Sequence, residues 1–118
     1  MKLEEILKRK KNREKKLQEA LETFLGTLRR WGALRVILFG SLARGTVDTW
    51  SDLDLLIVMP SSRSSKEWVD FIYRNGNLGV AADLIVYSED DFVRMLPESA
   101  FLQEIVTSGK VLYEKESP

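Results

Sequence analysis

The chain has 118 residues, a formal net charge of zero, and neither cysteine nor histidine. Its length allows one domain with a modest core, and we treat residues 1–118 as that single domain. The lack of cysteine excludes disulfides, thiolate catalysis and zinc–sulfur sites, and the lack of histidine removes imidazole as a base or ligand. A general base must therefore be a carboxylate, a lysine or a water, and any metal site must use oxygen ligands, which suit Mg²⁺, Mn²⁺ or Ca²⁺.

The distribution of charge along the chain is uneven. Residues 1–30 hold ten Lys/Arg against five Glu, whereas residues 31–118 hold eight against thirteen Asp/Glu. Because its net charge is zero, the whole molecule offers no general attraction for nucleic acid or membranes. No signal peptide and no apolar run of about 18 residues is present, so we expect a cytoplasmic protein that does not enter a membrane.

A long helix is predicted over residues 2–31. Its second half carries an apolar stripe at three- and four-residue steps, formed by Leu17, Ala20, Leu21, Phe24, Leu25 and Leu28. Its first half contains the block from Lys8 to Lys16, which has no apolar residue. Two interpretations of this 8–16 segment remain open: a solvated helix start, or a basic arm that projects toward a partner.

The remaining pattern predicts an α+β domain, a small mixed β-sheet with helices packed on it. Gly32 is expected to end the first helix, and Ser64 with Glu67 forms a capping-box sequence before the second. The helix over 98–108 is expected to turn Phe101 inward with its other apolar residues. Strands are predicted at 34–39, 52–59 and 80–87, a short edge strand at 111–113, and helices at 65–75, 89–96 and 98–108.

Acidic residues interrupt two of these apolar strands. Asp52 and Asp54 stand in the run that ends in L-L-I-V, and Asp83 stands in the third strand. Residues i and i+2 of a strand share a face, so Asp52 and Asp54 would project side by side. Adjacent carboxylates repel each other unless a cation lies between them. If the third strand neighbours the second, all three carboxylates can converge on one or two divalent ions.

A possible phosphate site lies upstream. Gly40 and Ser41 end the first strand, and ten residues separate Ser41 from Asp52. Glycine lets a phosphate approach the backbone, and the amides of a following helical turn point toward an anion. Ser41 would add a hydroxyl donor, and Arg44 a charged fork of donors.

These residues together resemble a known family. The pattern G-S, ten residues, then D-x-D is similar to the signature of the DNA polymerase β-like nucleotidyltransferases, and the longer pattern from Gly40 to Gly45 and from Ser51 to Leu55 resembles the minimal nucleotidyltransferases of prokaryotes. The resemblance extends from Leu17 to the end of the chain and implies a nucleotidyltransferase fold. Residues 1–16 lie outside it.

The resemblance also implies an activity and a set of roles. Asp52 and Asp54 would hold two Mg²⁺ ions with ATP, and Asp83 would bind the catalytic ion and help to deprotonate the acceptor hydroxyl. Gly40 and Ser41 would hold the β- and γ-phosphates, and the nucleotide-binding set also includes Arg44 and Ser51. AMP would pass to the hydroxyl and pyrophosphate would leave. In the minimal members the acceptor is typically a tyrosine of a HEPN-type ribonuclease toxin, so the resemblance implies an antitoxin that forms a complex with such a toxin.

Each assignment has an alternative. Asp52 and Asp54 could be an edge-strand pair that faces water, Asp83 a solvated strand end, and Ser41 a turn residue. Arg44 could pair with Asp48. Asp90 and Asp91 are explained by their position at a helix start and are not assigned to the metal.

Two other classes of function are alternatives for the whole chain. One is a non-catalytic binding module that neutralises a partner by occlusion, and the other is an RNA-binding adaptor that uses Lys8 to Lys16. Three carboxylates in strands favour the enzyme over occlusion, and zero net charge disfavours the RNA adaptor. The oligomeric state, homo- or hetero-oligomeric, stays open.

Overall fold

A computed structural model gives the fold and describes residues 2–40 and 53–116. It confirms the α+β class. The elements, in chain order, are α1 (Leu3–Arg30), β1 (Arg35–Phe39), β2 (Leu53–Met59), α2 (Ser65–Asn75), β3 (Ala82–Ser88), α3 (Glu89–Met95), a 3-10 turn (Leu96–Glu98), α4 (Ala100–Ser108) and β4 (Lys110–Glu114). No helix in this part of the chain is long and apolar enough to cross a membrane.

The four strands form one mixed sheet in the order β3-β2-β1-β4. β1 runs antiparallel to β2 and to β4, whereas β2 and β3 are parallel. A parallel pair needs a long crossover, and the segment containing α2 supplies it. The central strand β2 is buried on both faces, which explains its nearly continuous apolar sequence.

Each face of the sheet is covered by helices, so the protein has two core regions. On the first face, α1 and α2 pack on alternate strand residues such as Val36, Leu55 and Ile57. On the second face, Phe92 of α3 and Leu102 of α4 pack on the intervening strand residues, among them Leu56. Residues at positions 54 and 83 belong to the second face because strand side chains alternate.

Local side-chain chemistry sets the helix starts, as the sequence predicts. The Ser64 hydroxyl accepts from the backbone N–H of Glu67 at 3.1 Å, and the Glu67 carboxylate accepts from the backbone N–H of Ser64 at 3.2 Å. This reciprocal pair is the predicted capping box. At the end of α1, Gly32 has φ +98°, a left-handed conformation that glycine adopts without the cost of a β-carbon.

The region of α4 differs from the sequence prediction in two ways. The helix begins at Ala100 rather than at 98, because the Ser99 hydroxyl accepts from the backbone N–H of Leu102 and so caps the helix there. Phe101 is 51% exposed, so its predicted inward orientation is wrong. Leu102 and Ile105 already fill the contact with the sheet, and Phe101 lies to one side of that stripe.

Candidate active site

The candidate site is built where β1 ends and β2 begins. Phe39 is the register partner of Asp54 across these antiparallel strands. Gly40 follows with φ +78°. A β-carbon on residue 40 would meet the Asp54 carboxyl, with Cγ at 3.0 Å and Oδ2 closer still. Both the backbone conformation and the space thus require glycine, and its absent side chain leaves room for the Asp54 carboxyl.

The second carboxylate comes from the neighbouring parallel strand. Asp54 of β2 and Asp83 of β3 are direct register partners. Since paired residues of adjacent strands point to the same face, both carboxyls lie on the second face at the same end of the sheet. Asp54 is half-buried and Asp83 is exposed. The structure therefore brings together two of the three predicted carboxylates, one partly shielded from water and one accessible to it.

This arrangement suits a divalent cation. Like charges on paired strand positions repel, and a cation between them removes that cost. Carboxylate oxygens are the ligands that Mg²⁺ and Mn²⁺ prefer. Within residues 2–40 and 53–116, no group of three acidic side chains is close enough to form a complete metal site. The third predicted ligand, Asp52, lies outside these residues.

Four of the residues assigned from the sequence fall in the part of the chain that the structure does not describe: Ser41, Arg44, Ser51 and Asp52. Their roles stay predictions. Gly40, Asp54 and Asp83 are described, and they lie at one end of the sheet.

Asp90 and Asp91 lie at the opposite end of β3, as expected for residues that start a helix. The Asp91 carboxylate accepts a hydrogen bond from the Ser65 hydroxyl at 2.6 Å and pairs with Arg94 at 2.8 Å. The pKa of Asp91 lies below its ordinary value of 3.8. The hydrogen bond from Ser65 is the largest cause, and the hydrogen bond from Arg94 is the second. Asp91 thus ties the start of α2 to the start of α3.

A cavity beside Gly40 has no counterpart in the sequence analysis. Its volume is about 310 Å³, and Phe39, Gly40, Phe101 and Ser108 form part of its wall. The rings of Phe39 and Phe101 meet edge to face with centroids 6.0 Å apart. The signal for it in the sequence is weak, because Phe101 follows the same apolar pattern as the buried residues of α4.

The comparison with known families agrees with this geometry. The family model described as "Nucleotidyltransferase domain" matches residues 21–113. The chain therefore belongs to the nucleotidyltransferase family. The match covers residues 21–30 of α1 and nearly all of the sheet and its other helices.

Individual relatives point the same way. Two Methanocaldococcus jannaschii proteins, both provisionally named protein adenylyltransferases, are similar to this chain. One is 31% identical over 117 residues, covering 88% of this chain and 76% of the relative. The other is 34% identical over 106 residues, covering 81% and 97%. A crystal structure from Sulfolobus solfataricus, provisionally named a nucleotidyltransferase, shares the fold with a TM-score of 0.52 at 22% identity, over 95% of this chain and 89% of that one.

Proposed function

We propose that the protein is a Mg²⁺-dependent nucleotidyltransferase that transfers AMP from ATP to a hydroxyl group, a tyrosine hydroxyl, of a HEPN-type toxin, and so acts as its antitoxin. The observation that carries the proposal is the register pairing of Asp54 with Asp83 in a chain of the nucleotidyltransferase family. A divalent cation bound at the paired carboxylates would neutralise their charge, and the family's reaction uses one.

Each described residue then has a role. Asp54, half-buried beside Gly40, and Asp83 would hold Mg²⁺ together with Asp52. When bound, Mg²⁺ supplies neutralisation of the phosphate charge. Gly40 keeps the approach to the Asp54 carboxyl free of a side chain, and with Ser41 it would receive the triphosphate.

Asp83 is positioned to act on the acceptor. Its carboxylate is exposed, so a hydroxyl on another molecule can approach it. The hydroxyl oxygen would form a bond to the α-phosphorus as the bond to the pyrophosphate oxygen breaks, and the hydroxyl proton would pass to the Asp83 carboxylate. The products are the adenylylated acceptor and pyrophosphate.

A protein acceptor is supported by the names of the two M. jannaschii relatives, which describe protein adenylyltransferases. The toxin as acceptor is supported by the motifs from Gly40 to Gly45 and from Ser51 to Leu55, which resemble those of the minimal nucleotidyltransferases.

The test is transfer of label from α-³²P-ATP. The purified chain is incubated with Mg²⁺ and with a candidate HEPN-type protein. We expect label on the partner, and its loss in Asp54→Asn and Asp83→Asn. Asp90→Asn is the matched control, since Asp90 is an exposed acid at the far end of β3, and it should keep the activity. A tight complex with no label on the partner would instead support neutralisation by occlusion.

A further inference from the structure

The first half of α1 has no core contact with the rest of the described chain. Residues 2–16, here called the arm, are all exposed except for the half-buried Arg13, and the first buried residue of α1 is Leu17. At 1.5 Å per residue the arm is about 22 Å long. Leu3, Ile6 and Leu7, spaced to share one helix face, are 70%, 48% and 52% exposed.

The arm extends from the end of the sheet that holds the candidate site. The C-terminal end of α1 connects through a short turn to the start of β1, so the helix runs antiparallel to that strand. Lys16 and Glu19 of α1 lie across a groove from Gly79 and Val80, which lead into β3 and Asp83. Residues 2–15 continue beyond this level, away from the body.

A cleft of about 390 Å³ lies at the opposite end of the sheet, where β1 begins and β2 ends. Its apolar wall is formed by Leu34, Val58 and Phe92, and Glu89 and Glu116 supply exposed carboxylates. Arg35 at its base is already paired with Glu114 at 2.9 Å. We call this the β4–α3 cleft. Lys115 also lines the cleft, so its charged side chains are three carboxylates (Glu89, Glu114 and Glu116) and two cations (Arg35 and Lys115), a net formal charge of −1 beside the apolar wall.

The arm and the body are complementary in charge. The arm holds eight Lys/Arg against three Glu, and the rest of the chain holds ten against fifteen Asp/Glu, so the two parts carry equal and opposite formal charges. The arm cannot reach its own cleft, because the cleft lies beside the C-terminal end of α1 and the arm begins about 40 Å away along the same helix. An arm that docks in this cleft must therefore belong to another molecule.

We propose that this molecule is a second copy of the chain, and that the arm of each copy docks in the β4–α3 cleft of the other. Two copies side by side and antiparallel bring the arm end of one to the cleft end of its partner. A two-fold axis then closes the assembly with two equivalent contacts. In each, Leu3, Ile6 and Leu7 cover the apolar wall while Lys10 and Lys11, one turn further along the same face, approach Glu89 and Glu116. This inference is independent of the proposed transferase activity.

The test uses sedimentation equilibrium of the full chain without nucleotide. We expect the wild type to be a dimer whose association weakens when salt rises from about 0.1 M to about 1 M, since the Debye length falls from about 10 Å to about 3 Å. Lys10→Glu/Lys11→Glu should weaken association about tenfold or more, as should Glu89→Lys/Glu116→Lys, because each places like charges in contact.

The decisive measurement is the mixture of these two variants. In a mixed pair, the acidic arm of one meets the basic cleft of the other, and the unchanged arm meets the unchanged cleft. Both contacts have opposite charges, so dimers should reappear in the mixture. The matched control Lys66→Glu/Arg74→Glu makes the same charge change on the exposed surface of α2 and should dimerise as the wild type does. Circular dichroism melting verifies that every variant is folded.

Three results would overturn the proposal. A wild type that is monomeric at all concentrations would show that the dimer does not form. A dimer that persists after the arm substitutions would show that its interface lies elsewhere. If the variants are monomeric alone and stay monomeric when mixed, the arm does not dock in the cleft of a second copy. Because neither nucleotide nor acceptor enters the measurement, its failure would leave the transferase proposal intact.

Discussion

The Asp54 carboxyl occupies the space next to Gly40 in which any other residue would place its β-carbon. The end of β1 and the start of β2 are therefore fitted to each other at the candidate site. Phe39, the register partner of Asp54, holds the two strands in the alignment that makes this contact possible. The absence of a side chain at Gly40 thereby determines where the Asp54 carboxyl can lie.

Gly40→Ala should both destabilise the protein and impair the site. Alanine at φ +78° is strained, and its β-carbon must displace the Asp54 carboxyl. We expect a loss of about 1–3 kcal/mol in the free energy of unfolding, measured by urea denaturation, with a loss of AMP transfer beyond that expected from unfolding. Gly79→Ala is the control, because its φ is also positive while its β-carbon would meet nothing within 4 Å. Equal loss of transfer in the two variants would contradict the role given to Gly40.

Asp83→Asn should stabilise the protein in the absence of divalent ions. Removal of one charge from the Asp54–Asp83 pair relieves repulsion of about 0.2–1 kcal/mol. In the wild type, Mg²⁺ or Mn²⁺ should raise the melting temperature, since a ligand that binds the folded state stabilises it. That rise should be strongly reduced in the variant.

Differential scanning fluorimetry with and without Mn²⁺ measures both effects. Asp90→Asn serves as the control and should keep the metal-dependent rise. If Asp83→Asn melts below the wild type without metal and keeps the full rise with it, the two carboxylates do not share a cation.

Features of the fold that depend on neighbouring residues could be predicted from the sequence. The capping box of Ser64 and Glu67 is an example, since both partners lie within one turn. The pairing of β3 with β2, in contrast, joins residues distant in sequence, and the sequence offers it only as a condition for the carboxylates to converge. The apolar run L-L-I-V of β2 favours a buried strand, and β2 is buried along nearly its whole length.

Features that depend on distant residues could not be predicted. The β4–α3 cleft joins residues from the start of β1, the end of β2, the start of α3 and the end of β4. The irregular register between β1 and β4, which shifts between Val36 and Ile37, has no local marker. The exposure of Phe101 depends on how α4 lies on the sheet, and periodicity alone does not fix that orientation.

Ser64→Ala should destabilise the start of α2. The substitution leaves the backbone N–H of Glu67 without its acceptor, which typically costs about 1 kcal/mol. Thermal unfolding should show a midpoint lowered by a few degrees. The pKa of Glu67 should rise only part of the way toward its ordinary value of 4.5, because the substitution removes the side-chain hydrogen bond of Ser64 but keeps the larger cause, the backbone N–H of residue 64. Ser62→Ala, two residues away and exposed, should change neither quantity. An unchanged midpoint in Ser64→Ala would show that packing of Trp68 and Ile72 alone holds the helix start.

Asp91 should make the stability of the protein depend on pH in the acid range. Its folded pKa lies below the ordinary value of 3.8, chiefly because of the hydrogen bond from Ser65. The charged form is thus favoured by folding, so its contribution is present above the unfolded pKa and is lost as pH falls through the folded pKa. Asp91→Asn should therefore be less stable than the wild type at neutral pH.

The difference in the free energy of unfolding between the wild type and Asp91→Asn should narrow as the pH falls below about 4. Urea denaturation at several pH values between neutrality and pH 3 measures it, and comparison with Asp90→Asn removes effects of net charge at the same helix start. Ser65→Ala should reproduce much of the loss at neutral pH, because it removes the donor of the 2.6 Å hydrogen bond. A stability difference that stays constant with pH would mean that Asp91 acts through packing or geometry and that its charge makes no contribution.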